Sequence, residues 1–553
     1  MGFYILNTRD NSDVPGTSLL DDAKQDLGGN ANISTLKHGT GKSSHIILVP
    51  QPTDDPNDPL NWSIWYRDMV TVAFSFASLI IAGSIGPMIG PVSAVLVEKY
   101  NVSFAKVAQL TGYHLLACGL AGLFVGPLTR TYGKRIVCLV SALITFAGAL
   151  WATFANSYGS LMGARVLQGF GLPAFESIGF PLIAEMYCVH QRGTRVAIFI
   201  VPVGVLNVLC PMISAVIAQN MGLKWMACSF KSFFRCGFFT VFFLIPETTF
   251  PRSEQQFSST PPSVLSAPDD QEDENAKKEA STSRLETVTR IQSSMIPKKT
   301  YWQTLKPFAG RYATEDIVKM FGRTFAVLYH PIVWWAIITQ TIISAWTIGI
   351  NITLAQMFAP PPYLFTPAKI GYLGTGALIG GLISEAMCIT LNDKIVKAMA
   401  RANNGVFEPE FRLWPMIPCM ITSVIGFFGF GYFAQERASP EVICVFYGFV
   451  TAALIFAHSA SASYLTDAYA TIAVESFVAI MLFKNFFFFA STFFLNDWLA
   501  SAGPMKFFGT QGGIQIAITL AAVFVYIFGK RIRSALAKLD LLDRWGLSLH
   551  VMK

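Results

Sequence analysis

Long apolar runs, each about the length of a bilayer crossing, alternate along this chain with short polar interruptions. A helix that rises about 1.5 Å per residue needs about 20 apolar residues to cross about 30 Å of hydrocarbon. On that measure the first half carries six runs, near residues 69–92, 107–128, 136–156, 160–184, 196–219 and 226–246. The second half carries six more, near 331–356, 368–391, 413–434, 442–466, 472–495 and 510–530. The pattern predicts an all-α membrane protein with twelve transmembrane helices in two six-helix halves. The expected division is a tail over 1–68, a first bundle over 69–250, a central loop over 251–330, a second bundle over 331–530 and a tail over 531–553.

The polar segments predict different behaviour. Residues 251–300 are rich in Ser, Pro and mixed charge, too poor in apolar surface to offset the entropy of ordering, and are expected to be disordered. Residues 301–329 mix Trp302, Phe308, Phe321 and Phe325 with Lys and Arg. That suits either a helix lying on the inner membrane face or a plain linker. The N-terminal stretch lacks the basic-then-apolar order of a cleavable signal peptide, so the first span is expected to direct insertion. Gly2 resembles a myristoylation start only in part, because Leu6 stands where Ser or Thr is needed.

Composition agrees with the pattern. Of 553 residues, 52% are hydrophobic and 14% charged, against about 25% charged in soluble domains. The surviving cations fix an orientation. Arg130, Lys134 and Arg135 follow the second run, Arg192 and Arg195 the fourth, and Lys394, Lys397, Arg401 and Arg412 the eighth. All lie on one side, which is expected to be cytoplasmic and to hold both termini. This side is called the cation-rich end below. The net charge of +7 is accounted for by these loops, so nucleic acid is not an expected partner. The nine cysteines are scattered without metal spacing and read as small core residues. Asn101 and Asn351 match glycosylation acceptors near the opposite side.

Two short motifs carry more information. Arg165, Gln168, Gly169 and Gly171 stand in the fourth run as Arg-Val-Leu-Gln-Gly-Phe-Gly. An arginine inside an apolar helix needs a cavity or a partner, and the glycines allow close helix approach. After the second run comes Gly126-Pro-Leu-Thr-Arg130-Thr-Tyr-Gly133-Lys134-Arg135. These two stretches resemble signatures of the major facilitator superfamily, drug:proton antiporter branch. Glu408-Pro-Glu-Phe-Arg-Leu and the segment from Phe175 to Arg195 resemble fungal members, including a polyamine and organic-cation permease subgroup. The loop motif departs from the family in one place: where the family has Asp then Arg, this chain has Arg130 then Thr131. The role of that acid is not carried over. In the second half, Asp393 is expected to keep it. Pro202, Gly204 and Pro211 in the fifth run form a degraded version of the branch's Gly- and Pro-rich pattern.

Ionisable groups within the runs narrow the chemistry, since each is costly in lipid and marks a candidate site. They are His114, Glu176, Glu385, His458 and Lys484, with Asp467 and Glu475 near the start of the eleventh run. Glu176 is the first candidate, because a carboxyl group in an apolar setting can exchange a proton near neutral pH or hold a cation. Glu176, Arg165, Gln168, Glu385, Asp467 and His458 are the expected proton-coupling or substrate-binding residues. Gly126, Arg130, Gly133, Lys134, Arg135 and Asp393 are the expected switch-loop residues.

No nucleophile–base pattern, phosphate-binding loop or metal cluster is legible, so an enzyme is not expected and no cofactor or metal is implied. The resemblance implies that the two six-helix halves are pseudo-symmetric bundles, and that the chain is a monomeric secondary transporter in the plasma or vacuolar membrane. It would move a small organic molecule by proton-coupled alternating access. Efflux of a hydrophobic metabolite, toxin or drug leads. Uptake of a polyamine or other organic cation, and a non-transporting sensor on the same scaffold, are the alternatives.

Overall fold

The computed structural model describes residues 5–6, 17–19, 52–53, 55–85, 87–188, 195, 199, 208–250, 297–308, 310–312, 317–403, 406–469 and 472–539. Residues 251–296 of the segment expected to be disordered (251–300), the Pro–Gly pattern at 202–204 and the end of the C-terminal tail fall outside these residues.

In chain order the first half contains α1 (Ile64–Ile85), α2 (Ser93–Tyr100), α3 (Phe104–Tyr132), α4 (Lys134–Phe154), α5 (Tyr158–Gly171), α6 (Pro173–Ser177) and α7 (Gly179–Met186), then α8 (Val208–Met221) and α9 (Leu223–Leu244). Between the halves lie α10 (Tyr301–Thr304) and α11 (Ile317–Ala326). The second half contains α12 (Pro331–Phe358), α13 (Pro367–Tyr372), α14 (Gly374–Ala402), α15 (Met416–Gln435), α16 (Pro440–Ala468), α17 (Ala473–Ser491) and α18 (Leu495–Leu539). Among the described residues, ten helices are long and apolar enough to cross a membrane. Helices α8 and α17 lie where the fifth and eleventh spans are expected.

Local chemistry sets the helix ends. Ser103 and Ser157 cap α3 and α5 by accepting from the backbone N–H groups of Lys106 and Ser160. Pro331, Pro367 and Pro440 open their helices at the first turn, where the missing N–H costs nothing. Gly133, at φ +92°, is the whole connection between α3 and α4, so most of the expected switch loop is helical. Gly126 and Arg130 belong to α3, and Lys134 and Arg135 begin α4. Asp393 is likewise inside α14, because its flanking residues continue the helix to Ala402 before any loop begins. Its side chain is outside the described part. The fourth run is broken into α5, α6 and α7 at Leu172 and Ile178, next to Pro173, which supplies no N–H to an unbroken ladder.

The buried apolar side chains fall into two large clusters. One is drawn from Val70 to Ile245 and the other from Val327 to Val525. Within the second, α14 and α16 approach until their backbones nearly touch: a Cβ on Gly380 would lie 2.2 Å from the Gly448 carbonyl oxygen. Between the halves, α3 and α17 run side by side. At the cation-rich end, Leu123 of α3 meets Val478 and Leu482 of α17, and Phe180 stacks on Phe477 at 6.1 Å. At the other end, Tyr113 meets Phe489 edge-on at 4.9 Å, and the Ala368 N–H donates to Gln219 at 3.0 Å.

Helix α11 packs on both α3 and α17. Its Phe321 joins the Leu123–Val478–Leu482 cluster and meets Phe124 at 5.8 Å. It therefore sits across the seam between the halves, held by side-chain packing. The N-terminal segment reaches the second half as well. Ser18–Leu19 pairs antiparallel with Val406–Phe407, and Ile5 is buried against Val396, Ala400 and Phe411.

Candidate functional site: a polar seam between the halves

Glu176 owes its position to the break in the fourth run. Phe175, 1% exposed, stacks on Phe74 at 6.2 Å and anchors α6 in the first-half core. The next residue, Glu176, is turned to the seam. Facing it from α17 is Lys484, whose Nζ stands 3.9 Å from Glu176 Oε2. The flanking aromatic residues hold that stretch of α17 in place: Phe483 meets Trp334 at 5.1 Å and Phe487 meets Trp346 at 6.1 Å. The Glu176 and Lys484 side chains are 28% and 25% exposed. Both are therefore partly open at the seam, whereas Phe175 beside Glu176 is buried.

The polar line continues into the second half. Lys484 lies within electrostatic reach of His458. His458 Nε2 is 2.9 Å from Ser344 Oγ, and Gln340 Nε2 donates to Ser461 at 3.0 Å. On the first-half side, Cys118 is in reach of both Glu176 and Lys484 and contacts Asn485. Asn485 is 1% exposed. Glu176, His458 and Lys484, read separately from the sequence, thus belong to one seam.

The other expected residues lie elsewhere. Arg165 and Gln168 meet, Nη1 donating to Oε1 at 3.1 Å, but both are buried inside the first half. There His114 Nδ1 is 3.0 Å from the Arg165 carbonyl oxygen, and Cys210 of α8 is within reach of the guanidinium. This pair ties together the second, fourth and fifth spans. Asp467 is held by Arg412, whose Nε donates at 2.7 Å. It ends α16 at the cation-rich end rather than facing the seam. Glu385 is half-exposed on α14 and has no ion-pair partner among the described residues. Asn351 lies inside α12, packed so closely on the first half that a Cβ on Gly90 would sit 1.9 Å from its Oδ1. Asn101 is exposed at the end of α2.

The cation-rich end holds acids that sequence reading did not pair. Glu247 accepts the backbone N–H groups of Lys134 and Arg135 at 3.0 and 3.1 Å, capping α4. Arg135 in turn donates to the carbonyls of Val241, Phe242 and Ile245, which close α9. Lys134 pairs with Glu185. In the second half the signs are reversed. The acids Glu408 and Glu410 come from the α14–α15 connection and take cations from α18, Lys530 and Arg533. Glu247 was detectable: it stands directly after an apolar run, in the same layer as Lys134 and Arg135.

Comparison with known proteins decides the family. The model for the Major Facilitator Superfamily matches residues 71–483. This chain belongs to that superfamily. It is a multi-pass membrane transporter, with the helical fold of that family. The MFS-type transporter C1271.10c of Schizosaccharomyces pombe is 25% identical, over 95% of this chain and 94% of that protein. The probable drug/proton antiporter YHK8 of Saccharomyces cerevisiae is 22% identical, over 81% and 80%. Among solved structures, the proton:xylose symporter XylE aligns with a TM-score of 0.54 at 16% identity, covering 84% of this chain and 96% of that one. At that identity the likeness speaks for the fold alone.

Proposed function

We propose that this transporter exports a hydrophobic metabolite, toxin or drug in exchange for protons, by alternating access about the Glu176–Lys484 seam. The observation that carries this reading is the position of one carboxylate and one ammonium, 3.9 Å apart, on opposite halves of the molecule. A carboxylate that binds a proton can no longer hold an opposing cationic group. Proton binding at Glu176 therefore loosens its hold on Lys484 and on any cationic group of a substrate. A site that accepts either a proton or a substrate, but not both, couples the two movements in opposite directions. The relative described as a probable drug/proton antiporter is consistent with that direction.

Uptake of a simple organic cation fits the seam less well, since Lys484 already occupies the carboxylate. The proposed location is the plasma membrane, with fluorescent tagging to separate it from the vacuolar membrane.

The test is flux in proteoliposomes under an imposed proton gradient. Wild-type protein should accumulate substrate against its gradient, and a protonophore should abolish this. Glu176→Gln should retain downhill exchange but lose at least about 90% of proton-driven accumulation, a change of about tenfold. Full proton-driven transport by Glu176→Gln would remove Glu176 from the coupling step.

A further inference from the structure

The charges at the seam restrict which molecules can open it. Glu176 Oε2 and Lys484 Nζ, at 3.9 Å, are in ion-pair contact but beyond direct hydrogen-bonding distance. A cationic substrate that took the carboxylate would leave the ammonium without its counter-charge, in a setting where an unpaired charge is costly. Among the described residues the surroundings offer no substitute. His458 and Cys118, also among them, stand in electrostatic reach of Lys484, and neither is a carboxylate. Among the described residues Lys484 has no second acid within ion-pair distance. An anionic substrate meets the mirror-image problem, since it would take Lys484 and leave Glu176 facing a second negative charge.

A molecule carrying both an ammonium and a carboxylate exchanges one ion pair for two and leaves the seam neutral. We propose that the substrate is amphoteric, an amino-acid-like compound with an apolar body, whose ammonium binds Glu176 and whose carboxylate binds Lys484. Asn485, the next residue, is buried against Cys118 and fixes this turn of α17 on the first half. The rings of Phe483 and Phe487, which flank Lys484 and pack on Trp334 and Trp346, supply apolar surface. Because Glu176 and Lys484 belong to different halves, a substrate bound to both bridges them and is held most tightly when they are drawn together. This inference rests on the transport reading of the same seam and adds the substrate class to it.

The test uses matched triplets built on leucine, phenylalanine and tryptophan: the free amino acid, its methyl ester (a cation) and its N-acetyl derivative (an anion). Binding to the purified full-length protein is read by thermal stabilisation. In at least one triplet the free amino acid should bind about threefold to fivefold more tightly than either derivative, the effect of one uncompensated, partly exposed charge. In Glu176→Gln the free amino acid should bind no better than the N-acetyl compound, and in Lys484→Gln no better than the ester. The exchanged double variant Glu176→Lys with Lys484→Glu should recover the preference, which a misfolded protein would not.

Equal or tighter binding of an ester or an N-acetyl compound by the wild type, or no binding by any member, overturns the substrate class. Proton-driven flux measured on the same preparations separates the two readings. Glu176-dependent flux of another compound, with the amphoteric probes refused, sinks the substrate class and leaves the transport reading standing. A preserved amphoteric preference with no Glu176-dependent flux sinks the transport reading alone.

Discussion

Arg130 Nη2 and Glu475 Oε1 meet at 2.7 Å, one near the end of α3 in the first half, the other in the first turn of α17 in the second. The family's acid is missing from this stretch, and a cation stands in its place. Glu475 supplies the opposite charge from the facing helix, so the two halves are joined here by a direct ion pair. Arg130 is 33% exposed and Glu475 10%, which limits the strength of the pair to about 1 kcal/mol or less.

Arg130→Ala or Glu475→Gln should therefore shift the balance toward separation of the cation-rich ends by up to about fivefold. Thiol labelling of a cysteine introduced at Phe477 reports that separation, against a background lacking the exposed Cys236. The exchanged pair Arg130→Glu with Glu475→Arg should return labelling to the wild-type rate. Failure of the exchanged pair to do so would mean that the contact does not hold the halves together.

Arg533 and Glu410, both fully buried, make the most enclosed ion pair among the described residues, with Nη2 2.7 Å from Oε2. Removing one member strands a buried charge, at a cost of about 3–5 kcal/mol. Arg533→Ala should lower the midpoint of thermal unfolding sharply, and Glu410→Gln less so because it keeps an acceptor. A midpoint unchanged in Arg533→Ala would show that solvent reaches the site.

Gly380 and Gly126 should respond in opposite ways to the same substitution. At Gly380 a Cβ meets the Gly448 backbone at 2.2 Å, whereas at Gly126 it meets nothing within 4 Å among the described residues. Gly380→Ala should force α14 and α16 apart at a cost of about 1–3 kcal/mol. Gly126→Ala should be neutral or stabilising by up to about 1 kcal/mol, from helix propensity. Yield and unfolding midpoint of the two purified variants distinguish the cases.

His330 introduces a pH dependence at the entrance to α12. Burial holds its imidazole below the ordinary histidine value, and among the described residues its Nδ1 has no hydrogen-bond partner. The folded state thus binds fewer protons at this site than the unfolded chain below about pH 6.5. The contribution of His330 to stability is fully present above that value and declines as the pH falls from there. His330→Gln should flatten this part of the stability profile between about pH 6.5 and 5. An identical slope in wild type and variant would assign the effect to another group.

Much of this architecture is legible in the sequence for simple reasons. Bilayer thickness sets the length of an apolar run, so the runs near 107–128 and 331–356 are found as α3 and α12. The fate of the cations is less visible. Lys134 and Arg135 mark a side of the membrane by composition. Their caps and carbonyl partners depend on Glu247 and on the end of α9, more than 100 residues away along the chain.

The sequence by itself determined the helical class, the alternation of spans with charged layers, and the short set of ionisable groups that needed a partner. It did so because the cost of placing polar groups in hydrocarbon acts residue by residue. Only the tertiary structure decided which of those groups meet. Arg130 finds Glu475 across 345 positions, and Glu176 finds Lys484 because a break at Pro173 turns it to the seam where α17 passes. Asp467 and Arg165, equally conspicuous as charges in apolar surroundings, are taken up by Arg412 and Gln168 instead. Ion pairing depends on distance in space, which the order of residues along the chain does not state.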